Sequence, residues 1–374
     1  MRRNTNYKPP FPWFGGKSPV ADVVWAAIGD VKNYVEPFFG SGAVLFLRPG
    51  GPGHIETIND ADGYVANFWR AIQRDSDAVA EHADWPVNEC DMTARHLWLL
   101  EQKTTLVNRL FGDPDFYDAK AAGWWVWGQC CWIGSGWCSG RGPWISEGGE
   151  LRLRNTGQGV NRKLPHLGDT GKGVNRKRPH LGNTGKGVNR KLPHLGNTGK
   201  GDDSATPALG RHGKGRQPET PRSVWLKDYL GEFSDRLRNV RVCCGDWSRV
   251  CGPSVTFRHG LTGVFLDPPY ADSAERTDDL YATDCQQVAH DVSRWAIEMG
   301  ERKDMRIVLA GYEGEHDMPD TWKVHEWKAT GGYALIGDDD NEAGRANRSR
   351  ERLWISPACL NTVEQPGLFD ALAE

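Results

Sequence analysis

The chain has 374 residues, enough to bury one sizeable core and to carry a second, smaller module. With 38% hydrophobic and 25% charged residues the composition excludes a disordered or fibrous protein, and no run of about 18 apolar residues marks a membrane span. The formal charge of −3 hides an asymmetry: residues 159–200 hold ten Lys/Arg against the single acid Asp169, a local +9 that leaves −12 elsewhere.

An acidic chain with one concentrated basic segment fits a nucleic-acid partner met through one face. Met-Arg-Arg at the start is not followed by an apolar signal stretch, and the nine cysteines show no Cys-x-x-Cys spacing. Reduced thiols and a cytoplasmic location are therefore expected.

In chain order, Tyr34-Val35-Glu36 reads as the end of a short strand that runs into the glycine-rich turn Pro37-Phe38-Phe39-Gly40-Ser41-Gly42. An apolar helical start follows from Ala43 to Leu47. His54 to Ile58 predicts a second strand ending at Asn59-Asp60. Tyr64 to Gln73 then has helical spacing of Val65, Phe68, Trp69 and Ile72. Strand, turn, helix and strand in that order open an α/β doubly wound unit.

From about Asp75 to Arg238 the pattern changes. Ala119 to Ile133 is rich in tryptophan and small residues, and the tryptophans between Trp124 and Trp144 are expected in the core of this lobe rather than on a base-stacking surface. A 14-residue repeat follows, GVNRKLPHLGDTGK (159–172), GVNRKRPHLGNTGK (173–186) and GVNRKLPHLGNTGK (187–200). Each unit offers only about three apolar residues, too few to stack into a core, so an extended or flexible insertion is expected. Two readings of it stay open. Arg162, Lys163, Arg176, Lys177, Arg190 and Lys191 track DNA phosphates, or the repeats are a solvated loop expansion.

Alpha/beta character resumes with Val240 to Cys244, Val264 to Leu266 and Ile307 to Leu309, short runs that read as buried parallel strands. Gln286 to Met299 predicts a helix before the last of these. Trp322 to Trp327 and Arg352 to Ile355 predict a closing hairpin around the polar loop Gly337 to Ser349. The expected organisation is one α/β domain interrupted by a lobe.

Asp267-Pro268-Pro269-Tyr270 directly follows the strand Gly-Val-Phe-Leu. Two prolines fix φ and supply no amide hydrogens, so they hold a rigid turn with carbonyls pointing outward. An exocyclic amine is a poor nucleophile because its lone pair is delocalised into the ring. If the Asp267 carboxylate and the Pro268 carbonyl both accept its hydrogens, the nitrogen is drawn toward a tetrahedral form that attacks a methyl sulfonium in line, with Tyr270 stacked on the base. The glycine turn suits close approach of backbone to a cofactor, and Asp60 suits ribose hydroxyls.

These motifs, with Pro12-Trp13-Phe14-Gly15-Gly16-Lys17 before them, resemble the Dam-like, D12-class DNA adenine-N6 methyltransferases of the α group. The resemblance covers roughly residues 7–75 and 240–310. It implies a Rossmann-like S-adenosylmethionine-dependent methyltransferase sheet with an inserted target-recognition lobe. The implied limits are 1–75 and 239–360 for the catalytic domain, 76–238 for the lobe and 361–374 for a flexible tail. It further implies that Trp13, Gly15, Gly16, Lys17, Glu36, Pro37, Phe38, Gly40, Gly42, Asp60, Asp246 and Asp267 form the S-adenosylmethionine site. Asp267, Pro268, Pro269 and Tyr270 would hold a flipped adenine of double-stranded DNA, and no metal is implied. The middle lobe departs from the family's usual recognition domain. Alternatives left open are methylation of cytosine N4 or of an RNA base, and a non-catalytic DNA-binding protein with a degenerate pocket.

Near its C-terminus the chain reads Glu364-Gln365-Pro366-Gly367-Leu368-Phe369-Asp370. Gln365, Leu368 and Phe369 resemble the short peptides that dock on the bacterial sliding clamp, with Leu and Phe filling an apolar pocket. A peptide spanning 361–374 is expected to bind the host clamp saturably and to lose binding with Leu368→Ala/Phe369→Ala; equal binding by both peptides removes the reading.

Overall fold

The computed structural model describes residues 8–13, 15–132, 137–138, 144–147, 150–153, 222–269, 280–327 and 350–360. Tyr270, the repeats with Arg162, Lys163, Arg176, Lys177, Arg190 and Lys191, the loop 337–349, and the tail with Gln365, Leu368 and Phe369 lie outside the described residues. The chain divides into two compact units. One comprises Trp13–Asp62 and the described residues from Arg238 onward, the other Lys8–Pro12 and the described residues of Gly63–Leu237. The expected domain limits stood at 75/76 and 238/239.

The first unit is built on a seven-stranded sheet. Its strands are β1 (Asn33–Glu36), β2 (Ile55–Asp60), β5 (Arg241–Cys244), β6 (Thr262–Leu266), β7 (Met305–Tyr312), β8 (Lys323–Glu326) and β9 (Glu351–Ile355). The order is β5-β2-β1-β6-β7-β9-β8. The first five run parallel, with Val35 opposite Ile-rich β2 at Thr57 and opposite Val264 of β6. Strand β9 is antiparallel to both β7 and β8, which is the closing hairpin the sequence predicts. β1 and β6 are buried along their whole length, as strands covered on both faces must be.

One expectation is corrected. The run ending in Cys243-Cys244 was read as a buried strand, yet β5 begins on the exposed Arg241 and only Cys244 is buried among its four residues. It is the edge strand and pairs only with β2, so half its surface faces solvent.

Helix α1 (Ala21–Ile28) covers one face, with the Trp25 indole donating to the Val44 carbonyl at 2.8 Å and lying 4.7 Å from the Tyr34 ring. On the other face Val35, Val264, Leu266, Ile307 and Leu309 pack with Val292 and Ala296 of α8 (Leu280–Gly300) and with Trp322 and Trp354. Strands filled this way by β-branched and leucine side chains form a rigid floor, and each buried side chain contributes roughly 1.5–3 kcal/mol by leaving water. Short α2 (Ala43–Phe46) follows the glycine turn, and α7 (Ser248–Cys251) follows β5.

The second unit holds α3 (Gly63–Ala83), α4 (Glu89–Gly112), α5 (Ala119–Cys131), the hairpin β3 (Trp144–Glu147) with β4 (Glu150–Leu153), and α6 (Arg222–Leu237). α3 breaks at Asp75, whose carboxylate caps Ala78 N–H at 3.1 Å. Trp69, Trp125, Trp127 and Trp137 are buried in this unit, with Phe11 and Phe68 among them. Trp125, Trp127 and Trp137 are core, as expected, while Trp124 and Trp132 stay half-buried. Among the described residues no helix is long and apolar enough to cross a membrane.

Candidate active site

The sheet order reverses between β1 and β6, since β2 and β5 extend to one side and β7 to the other. In such sheets ligands bind outside the carboxyl ends of the strands at this reversal. Both chemistry-bearing motifs of the first unit begin there, the glycine turn after Glu36 and the acidic turn after Leu266.

The glycine turn is held by the neighbouring strand ends. Phe39 N–H donates to the Asn59 carbonyl at 3.0 Å, and Gly40 N–H donates to Asp60 Oδ2 at 2.9 Å. Asn59 Nδ2 donates to the carbonyls of Pro37 at 3.1 Å and Gly245 at 2.9 Å, so one buried amide ties the carboxyl ends of β1, β2 and β5. Gly40 has φ +49°, and a Cβ there would stand 2.4 Å from Trp13 Nε1. The Trp13 indole thus lies against bare backbone, which only glycine permits. Gly42, at φ +75°, starts α2, and a Cβ there would meet Phe46 at 2.4 Å.

Beyond β6, Asp267 Oδ1 pairs with Lys17 Nζ at 2.9 Å; the lysine side chain is 3% exposed and the aspartate 21%. Lys17 Nζ also donates to the Gly15 carbonyl at 2.6 Å, across a turn in which Gly15 adopts φ +71°. Gly16 lies in the same turn, between Gly15 and the buried Lys17. Pro268 is buried and Pro269 exposed.

Glu36 is buried at the end of β1 and accepts from the Tyr34 hydroxyl at 2.9 Å. Burial above all, and then the nearby Asp267 carboxylate, pushes its carboxyl up to about 8, although the Tyr34 and Leu45 donors oppose the rise. Asp60 is likewise pushed up to about 7 by burial and by Asp62, against the backbone donors of Gly40, Ala61 and Asp62.

Asp246, after β5, is exposed, and its Oδ1 accepts from Ser248 N–H at 2.9 Å and from the Ser248 hydroxyl. Phe38 of the glycine turn stacks on Trp247, centroids 6.3 Å apart. One edge of the sheet therefore carries Trp13, Lys17, Glu36, Phe38, Gly40, Asp60, Asp246 and Asp267. Sequence reasoning missed Tyr34 and Asn59. Tyr34 lies two positions before Glu36 and so on the same strand face, a period-two signal that was available. Asn59 was read only as the end of a strand.

A seven-stranded sheet of this order, parallel from β5 through β7, with a glycine turn after β1 and an acidic Pro-Pro turn after β6, defines a methyltransferase-type α/β fold. Over residues 13–95 the chain matches the family of D12 class N6 adenine-specific DNA methyltransferases. That span runs from Trp13 through the glycine turn and Asp60 into α4, and it supports methyltransfer to DNA adenine in general. No curated protein matches the chain.

A carboxyl that keeps its proton in the folded state up to about pH 8 but loses it near 4.5 when unfolded opposes folding between those values. In that window the folded state binds more protons, so stability falls as pH rises. Glu36→Gln is expected to remove this component and flatten the decline by up to a few kcal/mol. Urea midpoints of both proteins from pH 5 to 8 check it; identical slopes mean that Glu36 ionises normally.

Proposed function

We propose that the protein transfers the methyl group of S-adenosylmethionine to the N6 amine of an adenine turned out of DNA. The observation that carries this reading is the Lys17–Asp267 pair beside the glycine turn at the β1/β6 reversal.

The residues present suit the cofactor. Gly40 and Gly42 leave backbone that a Cβ would obstruct, Asp60 offers a carboxylate next to that turn, and Phe38 with Trp247 forms an aromatic wall. When bound, S-adenosylmethionine supplies an electrophilic methyl on a sulfonium. Trp13, Gly15, Gly16, Lys17, Glu36, Pro37, Phe38, Gly40, Gly42, Asp60 and Asp246 are assigned to holding it, with Asp267 shared between cofactor and base.

Asp267 and the Pro268 carbonyl accept the two amine hydrogens and restore lone-pair density at N6, while Tyr270 stacks on the ring. Pro269, which has no N–H, keeps the turn from donating where it must accept. Lys17 pairs with the Asp267 carboxylate and fixes its orientation. A paired amine in the duplex cannot meet an in-line donor, so the base leaves the stack. The basic repeats, through Arg162, Lys163, Arg176, Lys177, Arg190 and Lys191, supply phosphate contacts that carry affinity but no sequence reading.

Asp267→Ala is expected to lower methyl transfer by at least roughly 10²–10³-fold in a folded protein. Sequencing that detects modified bases in DNA from expressing cells reads the base, site and strand together. Near-normal N6-methyladenine with the variant refutes the assignment, and N4-methylcytosine or modified RNA from the wild type redirects it. Deleting 159–200 is expected to weaken DNA binding and make its salt dependence shallower, with cofactor binding unchanged. An unchanged salt slope returns the repeats to a solvated loop.

A further inference from the structure

The helical unit contains a ladder of indoles and cations that its core does not require. Trp85 follows α3 and is 47% exposed, although its size makes it costly to leave in water. The Arg95 guanidinium of α4 lies 5.5 Å from the Trp85 ring, 5.1 Å from Trp124 and 4.3 Å from Trp127. Lys120 Nζ of α5 lies 4.4 Å from the same Trp124 ring and 4.5 Å from Trp98 of α4. Trp98 and Trp124 themselves meet edge-to-face at 5.1 Å. The sequence of contacts is Trp85, Arg95, Trp124, Lys120, Trp98, with every cation between aromatic faces.

Neither cation is in an ion pair among the described residues, although the Asp91 charge acts on Arg95. Ion pairs of this unit such as Arg74–Asp115, Arg222–Asp84 and Lys227–Glu81 involve other side chains. Arg95 is 7% exposed, yet its Nη1 is buried without a hydrogen-bond partner. The Asp91 carboxylate, whose charge acts on Arg95, takes its hydrogen bonds from the Trp85 indole N–H at 2.5 Å and from Asn88 at 2.6 Å rather than from the guanidinium. Asp118 spends its carboxylate on capping α5 at Ala121 N–H, 2.8 Å away. Packing alone would have buried Trp85 and paired Arg95. A partner that brings both negative charge and π faces satisfies what the ladder leaves open, and a nucleic-acid strand with unpaired bases has both.

We propose that the Trp85–Arg95–Trp124–Lys120–Trp98 ladder is a contact surface for a locally unpaired DNA strand. Bases stack on the exposed indole of Trp85, and the backbone is attracted by Lys120 and by the charge of Arg95 behind the rings. The proposal rests on the reading of the protein as a DNA methyltransferase, because opening the duplex around a target base exposes such a strand.

The test uses the full chain and an oligothymidylate, followed by fluorescence anisotropy of the labelled strand. Trp85→Ala is expected to weaken binding about tenfold, the loss of one stacked base, and Trp85→Phe to recover most of it. Lys120→Gln is expected to lower the slope of log affinity against log salt by about 0.7. Cofactor titration and thermal melting of each variant establish that the fold is kept. Wild-type affinity in folded Trp85→Ala and Lys120→Gln proteins overturns the proposal, as does tight binding of the matching ribo-oligomer with none of the DNA. Methyl transfer is measured separately. Transfer with an inert ladder leaves the enzyme reading standing, whereas a binding ladder without transfer removes the enzyme reading and keeps the surface.

Discussion

Lys17 sits with its ammonium almost out of water, 2.9 Å from a carboxylate that begins the turn after the central strand β6. A charge so placed cannot stay unless a counter-charge stays with it. Removing one partner of a buried pair typically costs roughly 3–5 kcal/mol, because the other is left stranded. The pair ties the turn at Gly15–Lys17 to the carboxyl end of β6 across 250 positions of sequence. It also fixes where Asp267 points. A third group completes the balance. Glu36 lies close enough to Asp267 for its carboxyl to be raised by that charge as well as by burial. A protonated Glu36 adds no second negative charge beside Asp267.

Backbone geometry makes that arrangement accessible. Gly40 and Gly42 occupy left-handed φ values that strain other residues, and at both positions a Cβ would collide with an aromatic side chain. The turn they form is not loose. Asn59 fastens it to β2 and β5, and the Asp60 carboxylate caps Gly40 N–H. Open backbone held rigidly is what a cofactor needs in order to approach peptide groups closely without an ordering cost at each encounter.

The strands of the sheet were legible because parallel strands buried on both faces are written as short apolar runs, as in Val264 to Leu266 and Ile307 to Leu309. β5 misled, since an edge strand can carry the same valine and cysteines while facing solvent. Helix α4 left little trace for a different reason. Its buried side chains include Arg95 and His96 beside Leu99, Leu106 and Leu110, so two inward positions read as polar. The imidazole of His96 lies 4.8 and 4.7 Å from Trp132 and Trp137, and burial pushes it down to about 4, which keeps it neutral and compatible with that aromatic setting. In the site, the glycine turn and Asp267 were visible as motifs. The meeting of Lys17 with Asp267 was not, because no local period links residues so far apart; only the family resemblance suggested it.

The two units handle charge by opposite means. In the sheet unit the buried Lys17 cation is answered by the Asp267 carboxylate. In the helical unit Arg95 and Lys120 are answered by indole faces, which screen a cation without cancelling it. A carboxylate paired directly with either side chain would have cancelled its charge outright. Indoles hold the side chains still and leave the positive field intact. Outside the basic repeats the chain carries −12, so cations held by indoles rather than by ion pairs suit the DNA contact proposed above. The clustering of tryptophan in the lobe thus follows from two demands met by one residue type. Trp125 and Trp137 fill the core, Trp127 does so while meeting Arg95 at 4.3 Å, and Trp85, Trp98 and Trp124 face the same two cations from nearer the surface.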